Sequence, residues 1–76
     1  MRVDPEEILF MKEHAPTAFP RLVHEGLAAK GIKIRRERVY EELRSIKEDY
    51  REEVINEARR LLKAVKGIEY KQPINS

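Results

Sequence analysis

With 76 residues the chain has room for a single domain with a modest core, and cores of this size are often completed by a partner subunit. It holds no cysteine, which excludes disulfides, thiolate metal sites and cysteine nucleophiles together and fits a reducing, cytoplasmic compartment. Sixteen basic side chains against fourteen acidic ones leave a net charge of +2, a mixture typical of solvated helices laced with opposite charges.

No apolar run approaches the ~20 residues needed to cross a bilayer, and the start MRVDPEEILF carries early acids where a signal peptide has a basic opening. The expectation is a soluble, unprocessed protein without membrane association. Charge is unevenly spread: residues 1–14 carry net −2, residues 15–47 net +4 and residues 48–76 net 0. The positive excess therefore falls on the middle of the chain.

The first helix is predicted over about residues 5–13. Asp4 can accept from first-turn N–H groups, Pro5 suits the first helical position, and Glu7 stands at the capping-box position. Val3 and Ile8 are spaced for a hydrophobic staple, and Ile8, Phe10 and Met11 supply one buried side. Ala15, preceding Pro16, is pushed away from helical angles and ends the element. A second helix is predicted over 18–30. Thr17 as N-cap keeps Pro20 inside the first turn, and Phe19, Leu22, Val23, Leu27 and Lys30 follow 3 and 4 spacing in a stripe that runs until Gly31 supplies a left-handed stop. Gly26 inside this helix costs ~1 kcal/mol relative to alanine, and close approach of another helix is its best explanation.

Ile32 and Ile34 alternate around Lys33, as in a short extended connector. A third helix follows over 35–46 with Val39, Leu43 and Ile46 as its buried row, although Ile34 cannot cap it. Asp49 and Glu52 have capping-box spacing, and Val54, Ile55, Ala58, Leu61, Leu62 and Val65 form a strong stripe for a fourth helix over 50–66, closed by Gly67. Ile68 is placed to pack back on Leu62. The domain is thus expected over 1–67, with a flexible tail over 68–76. One alternative stays open. No glycine or proline interrupts 35–66, so a single long helix would keep a continuous stripe; the Asp49 cap favours a break between Arg44 and Asp49.

Little in the chain suggests catalysis or a bound cofactor. His14 and His24 are ten residues apart with no partner at helical metal-site spacing. Consecutive acids such as Glu6 with Glu7 point in different directions and are explained by the helix dipole. Neither Ser45 nor Ser76 stands in a nucleophile context. The expectation is a protein that is not an enzyme, with no cofactor, no metal and no evident small-molecule substrate.

With Val39 and Leu43 facing a core, Arg36, Tyr40, Arg44 and Lys47 lie along one flank of the third helix at spacings of 4, 4 and 3. Arginine can grip a guanine edge or a phosphate with two hydrogen bonds, and tyrosine can donate to a phosphate. Lys33 and Arg35, just before, are placed for backbone contacts. The plainer reading is a solvated face paired within itself, Arg38 with Glu42 and Glu37 with Arg36.

The segment Leu27–Leu43, LAAKGIKIRRERVYEEL, resembles the core of the helix-turn-helix family. In that family a small residue on the first helix precedes a glycine, an apolar residue follows, and a valine and a leucine four apart anchor the recognition helix. Ala28 or Leu27, Gly31, Ile32, Val39 and Leu43 match these positions, with Gly31 to Val39 two residues longer than usual, which implies a longer turn. The resemblance implies an all-α, compact four-helix domain that binds double-stranded DNA as a transcriptional regulator. Its third helix would enter the major groove with Arg36, Tyr40 and Arg44 at base edges or adjacent phosphates, while Lys33, Arg35 and Lys47 hold the backbone. A homodimer would suit two half-sites. The competing expectation is a small helical protein-interaction module, built on 35–66 as one long helix, without nucleic-acid binding.

Overall fold

Four helices account for most of the chain in a computed structural model that describes residues 1–71: α1 (Pro5–His14), α2 (Phe19–Ala29), α3 (Arg36–Arg44) and α4 (Glu52–Lys66). The protein is an all-α, four-helix domain; among the described residues no strand forms. α4 packs chiefly on α2, α2 also packs on α3, and α1 closes the bundle against α3 and α4. Ile8 and Met11 of α1, Val23 and Leu27 of α2, Val39 of α3 and the α4 row Val54, Ile55, Ala58 and Leu62 meet in one core. No helix of the described residues is long and apolar enough to cross a membrane.

Local chemistry accounts for the helix ends, and several differ from expectation. Asp4 opens α1 by accepting from the Glu6 N–H at 2.9 Å. Glu7 does not complete a capping box, because its carboxylate takes a two-pronged ion pair from Arg59 of α4, at 2.7 and 2.8 Å. Thr17 is not the cap of α2. A turn closed by the Phe19 N–H on Pro16 O at 3.1 Å leads into Ala18, the N-cap, which is left-handed with φ 62°. Pro20 still falls in the first turn, where its missing N–H is harmless. At the other end of α2, Gly31 (φ 78°) donates to Ala28 O and Ile32 to Leu27 O, both at 3.0 Å, which makes the stop a Schellman motif.

The single long helix over 35–66 does not form: α3 stops at Arg44 and residues 45–51 turn the chain into α4. Ile46 lies in this turn and is 53% exposed, so the expected buried row of α3 ends at Leu43. Tyr50 fastens the turn. Its buried hydroxyl donates to Ser45 O and accepts from the Lys47 N–H, both at 2.8 Å. Asp49 does not cap α4; Arg51 is the N-cap residue without a side-chain bond, and Asp49 accepts from the Met1 amine at 2.5 Å. Val65, expected in the buried stripe, is 53% exposed near the end of α4, where Gly67 (φ 66°) supplies the predicted stop. Of the segment read as a tail, Ile68 packs against the core and the Tyr70 ring lies 5.4 Å from Phe10 while its hydroxyl donates to Asp4 at 3.1 Å. Residues 72–76 of that expected tail lie outside the described residues.

Three glutamates are buried among the described residues, Glu7, Glu42 and Glu57, and each is matched. Glu57, only 1% exposed, accepts from Arg60 at 2.5 Å and from Lys30 at 2.6 Å. It also explains Gly26. A Cβ on that glycine would overlap Glu57 Oε2 and come within 2.9 Å of Cδ, so the close approach expected at Gly26 is made by a carboxylate of α4.

The Arg60 hydrogen bond, helped by Lys30 and opposed by burial, holds the Glu57 pKa below its ordinary value. A depressed carboxylate contributes stability above its unfolded pKa of about 4.3 and loses that contribution as pH falls through the folded value. Glu57→Gln is therefore expected to be less stable than wild type at neutral pH, with the gap closing below about pH 4. Thermal melts of both proteins across this range check it; a gap independent of pH would refute the linkage.

Candidate nucleic-acid interface

The surface read from sequence as a binding face is carried by the α2–α3 turn and the outer side of α3. The Schellman stop at Gly31 redirects the chain, Ile32 and Ile34 turn inward, and Lys33 and Arg35 are left exposed. Val39, Glu42 and Leu43 anchor α3 from beneath, which orients the other side of the helix to solvent. Arg36, Tyr40 and Arg44, spaced by four, line one shallow groove together with Glu37. Tyr40 is half-buried, whereas Arg36, Glu37 and Arg44 are exposed. Lys33 and Arg35 border a separate depression around the turn, beside His24 and Ala28 of α2.

Lys47 is not on this face in the way the helical wheel suggested. Because α3 ends at Arg44, Lys47 falls in the following turn, half-buried, with its ammonium on Glu41 at 3.2 Å. Lys12, which sequence reasoning missed, comes to the face instead. Its ammonium donates to Arg44 O at 3.2 Å, a cation at the negative end of the α3 dipole, and it shares a depression with Tyr40 and Arg44. Nothing in the sequence of α1 signals this, since it depends on how α1 packs on α3.

The electrostatics of α3 divide its charges into two groups. Arg38 is taken by Glu42 at 2.7 Å; that hydrogen bond and the carboxylate charge raise the arginine's pKa further. The other oxygen of Glu42 accepts from the Arg51 N–H at 2.7 Å and so holds the beginning of α4. Glu41 is taken by Lys47. By contrast, Lys33, Arg35, Arg36 and Arg44 have no carboxylate partner among the described residues, and neither does Glu37. The expected internal pairing is thus realised for Arg38 with Glu42 but not for Glu37.

A face of this kind can bind anions and offer hydrogen-bond donors to flat polar edges. No group of three or more histidine, cysteine, aspartate or glutamate side chains is placed to hold a metal ion among the described residues. His14 lies exposed beside the Phe10 ring, with centroids 4.6 Å apart, and His24 is half-buried on α2. Comparison with protein-family models, with curated proteins and with solved structures gives no match for this chain.

Proposed function

We propose that this protein binds double-stranded DNA as a transcriptional regulator, with the α2–turn–α3 unit acting as a helix-turn-helix and α3 lying in the major groove. The observation that carries the reading is the run of cations without carboxylate partners among the described residues, Lys33, Arg35, Arg36 and Arg44, on one turn and one short helix. Along α2, its C-cap and α4 most cations are matched: Arg21, Lys30, Arg59, Arg60 and Lys63 stand within 4 Å of an acid, and Lys66 at the end of α4 is the exception among the described residues. Exposed cations left unmatched in one place are what a polyanion neutralises. The size also suits. Nine residues make α3 about 13 Å long, comparable to the ~12 Å width of the major groove. In this arrangement Arg36 and Tyr40, near the start of α3, meet base edges or the nearest phosphates, while Lys33, Arg35, Arg44 and Lys12 hold the backbone.

The competing idea of a helix-pairing module drew on a continuous stripe over 35–66, which the turn at 45–51 interrupts. Fluorescence anisotropy with a mixed-sequence duplex across a salt series tests the DNA reading. Each phosphate contact is expected to add about −0.9 to the slope of log affinity against log salt. Arg44→Ala should make the slope shallower by about one, and Lys63→Ala, on a paired residue of α4, should leave it unchanged. Absence of binding at low salt, or binding indifferent to salt, would refute the proposal.

A further inference from the structure

Glu37 is out of place on a surface that attracts phosphates. It is the second residue of α3, exposed, one residue after Arg36 and in the same groove as Tyr40 and Arg44. The other two carboxylates of α3 are occupied, Glu41 by Lys47 and Glu42 by Arg38 and the Arg51 N–H. Glu37 alone of the three makes no ion pair or side-chain hydrogen bond among the described residues, so against a phosphate backbone it contributes only repulsion.

Resting on the DNA reading above, we infer that Glu37 is a base-selecting residue and that the base it selects is cytosine. The groups a duplex offers a helix in its major groove are mostly acceptors: guanine N7 and O6, adenine N7 and thymine O4. A carboxylate is itself an acceptor and is repelled by each of these, as by phosphate. Two bases present an exocyclic amino donor, cytosine at N4 and adenine at N6. Adenine sets its donor beside N7, an acceptor that suits an amide side chain and leaves a carboxylate mismatched. Cytosine is the base whose edge a carboxylate meets without a facing acceptor of its own. The position agrees with this chemistry, since the first residues of a groove-bound helix are those that reach base edges. Arg36 alongside supplies the two-pronged donor that guanine accepts. The affinity lost to phosphate repulsion is thus exchanged for discrimination.

Glu37 also lies where the α3 dipole favours an acid. That role is indifferent to DNA sequence, so base preference separates the two. The wild-type chain, Glu37→Ala and Glu37→Gln would each be used to select duplexes from a library with a randomised centre, at two salt concentrations, after circular dichroism shows equal helix content. Wild type is expected to fix a cytosine at one position, with any other pair there binding on the order of ten- to a hundred-fold more weakly. Glu37→Ala should lose that preference and hold mixed duplex several-fold more tightly, and Glu37→Gln should move the preference to adenine. Identical selected sites for all three proteins, or a wild type that binds duplex without any preferred cytosine, would overturn the inference alone. A wild type that retains no duplex at either salt concentration would overturn the DNA reading and the inference together.

Discussion

Glu42→Ala is expected to lower folding stability by about 2–4 kcal/mol, from the void left by a buried side chain and an amide left without an acceptor. Glu42 is 0% exposed, and its two oxygens serve two elements: one takes Arg38, the other the N–H of Arg51 where α4 begins. Arg38 is about half exposed and can return to water when its partner is removed, so the cost stays below that of stranding a charge in the core. The Arg51 amide, fixed in place by the backbone, loses the acceptor it has. Against a total stability of roughly 4–11 kcal/mol for a domain of this length, the loss is a large share. Glu42→Gln keeps an acceptor for the amide and sets an NH2 group toward Arg38, so it should fall between wild type and alanine. Denaturant midpoints at constant m-value measure the stabilities, and hydrogen exchange at Arg51 should quicken in the alanine variant. A loss under about 0.5 kcal/mol, the size of an ordinary surface substitution, would show that the carboxylate does not secure the junction.

The second large effect changes sign with its background. Gly26→Ala normally gains ~1 kcal/mol in a helix interior, yet here the new methyl occupies the space of the Glu57 carboxylate. That carboxylate cannot swing away cheaply, because Arg60 and Lys30 hold it at 2.5 and 2.6 Å. In wild type the substitution should therefore destabilise by about 1–3 kcal/mol, the cost of disturbing a buried, charge-assisted hydrogen-bond set. Once Glu57 is alanine, the nearest obstacles to the methyl are gone, and Gly26→Ala should stabilise by up to ~1 kcal/mol. A double-mutant cycle reads the coupling directly. The same sign in both backgrounds would refute the assignment of Gly26 to Glu57.

These two carboxylates also mark the limit of what could be read from sequence. The stops at Gly31 and Gly67 and the opening at Asp4 were legible because each depends on the backbone chemistry of a few adjacent residues. A break after α3 was legible too, but through the wrong residue: Asp49 and Glu52 have cap spacing, and Asp49 is engaged elsewhere. The buried acids went unnoticed because a charge is assigned to solvent by default. A signal was nevertheless present. Glu42 follows Val39 by three and precedes Leu43 by one, and Glu57 stands between Val54 and Ala58, so both fall inside an apolar arc on the wheel. Of the candidate face, Lys33, Arg35, Arg36, Tyr40 and Arg44 remain on the turn and α3, because local periodicity decides which way a helical side chain points. Lys47 left that helical flank because helix length is decided by the Tyr50 fastening, and Lys12 joined because helix packing is not a local property.

The buried acids have a consequence for motion. Glu57 reaches Lys30 at the C-cap of α2, just before the turn, and Glu42 ties the far half of α3 to the first residues of α4. The far half of the exposed helix is therefore moored to α4, and the turn that leads into it leaves a pinned end of α2. Peeling α3 away by itself would break the Glu42 bond to the Arg51 N–H and uncover Val39 and Leu43, so its excursions are expected to follow those of the whole domain. A ligand bound by a face held in this way would meet it already shaped, and little ordering entropy would be lost.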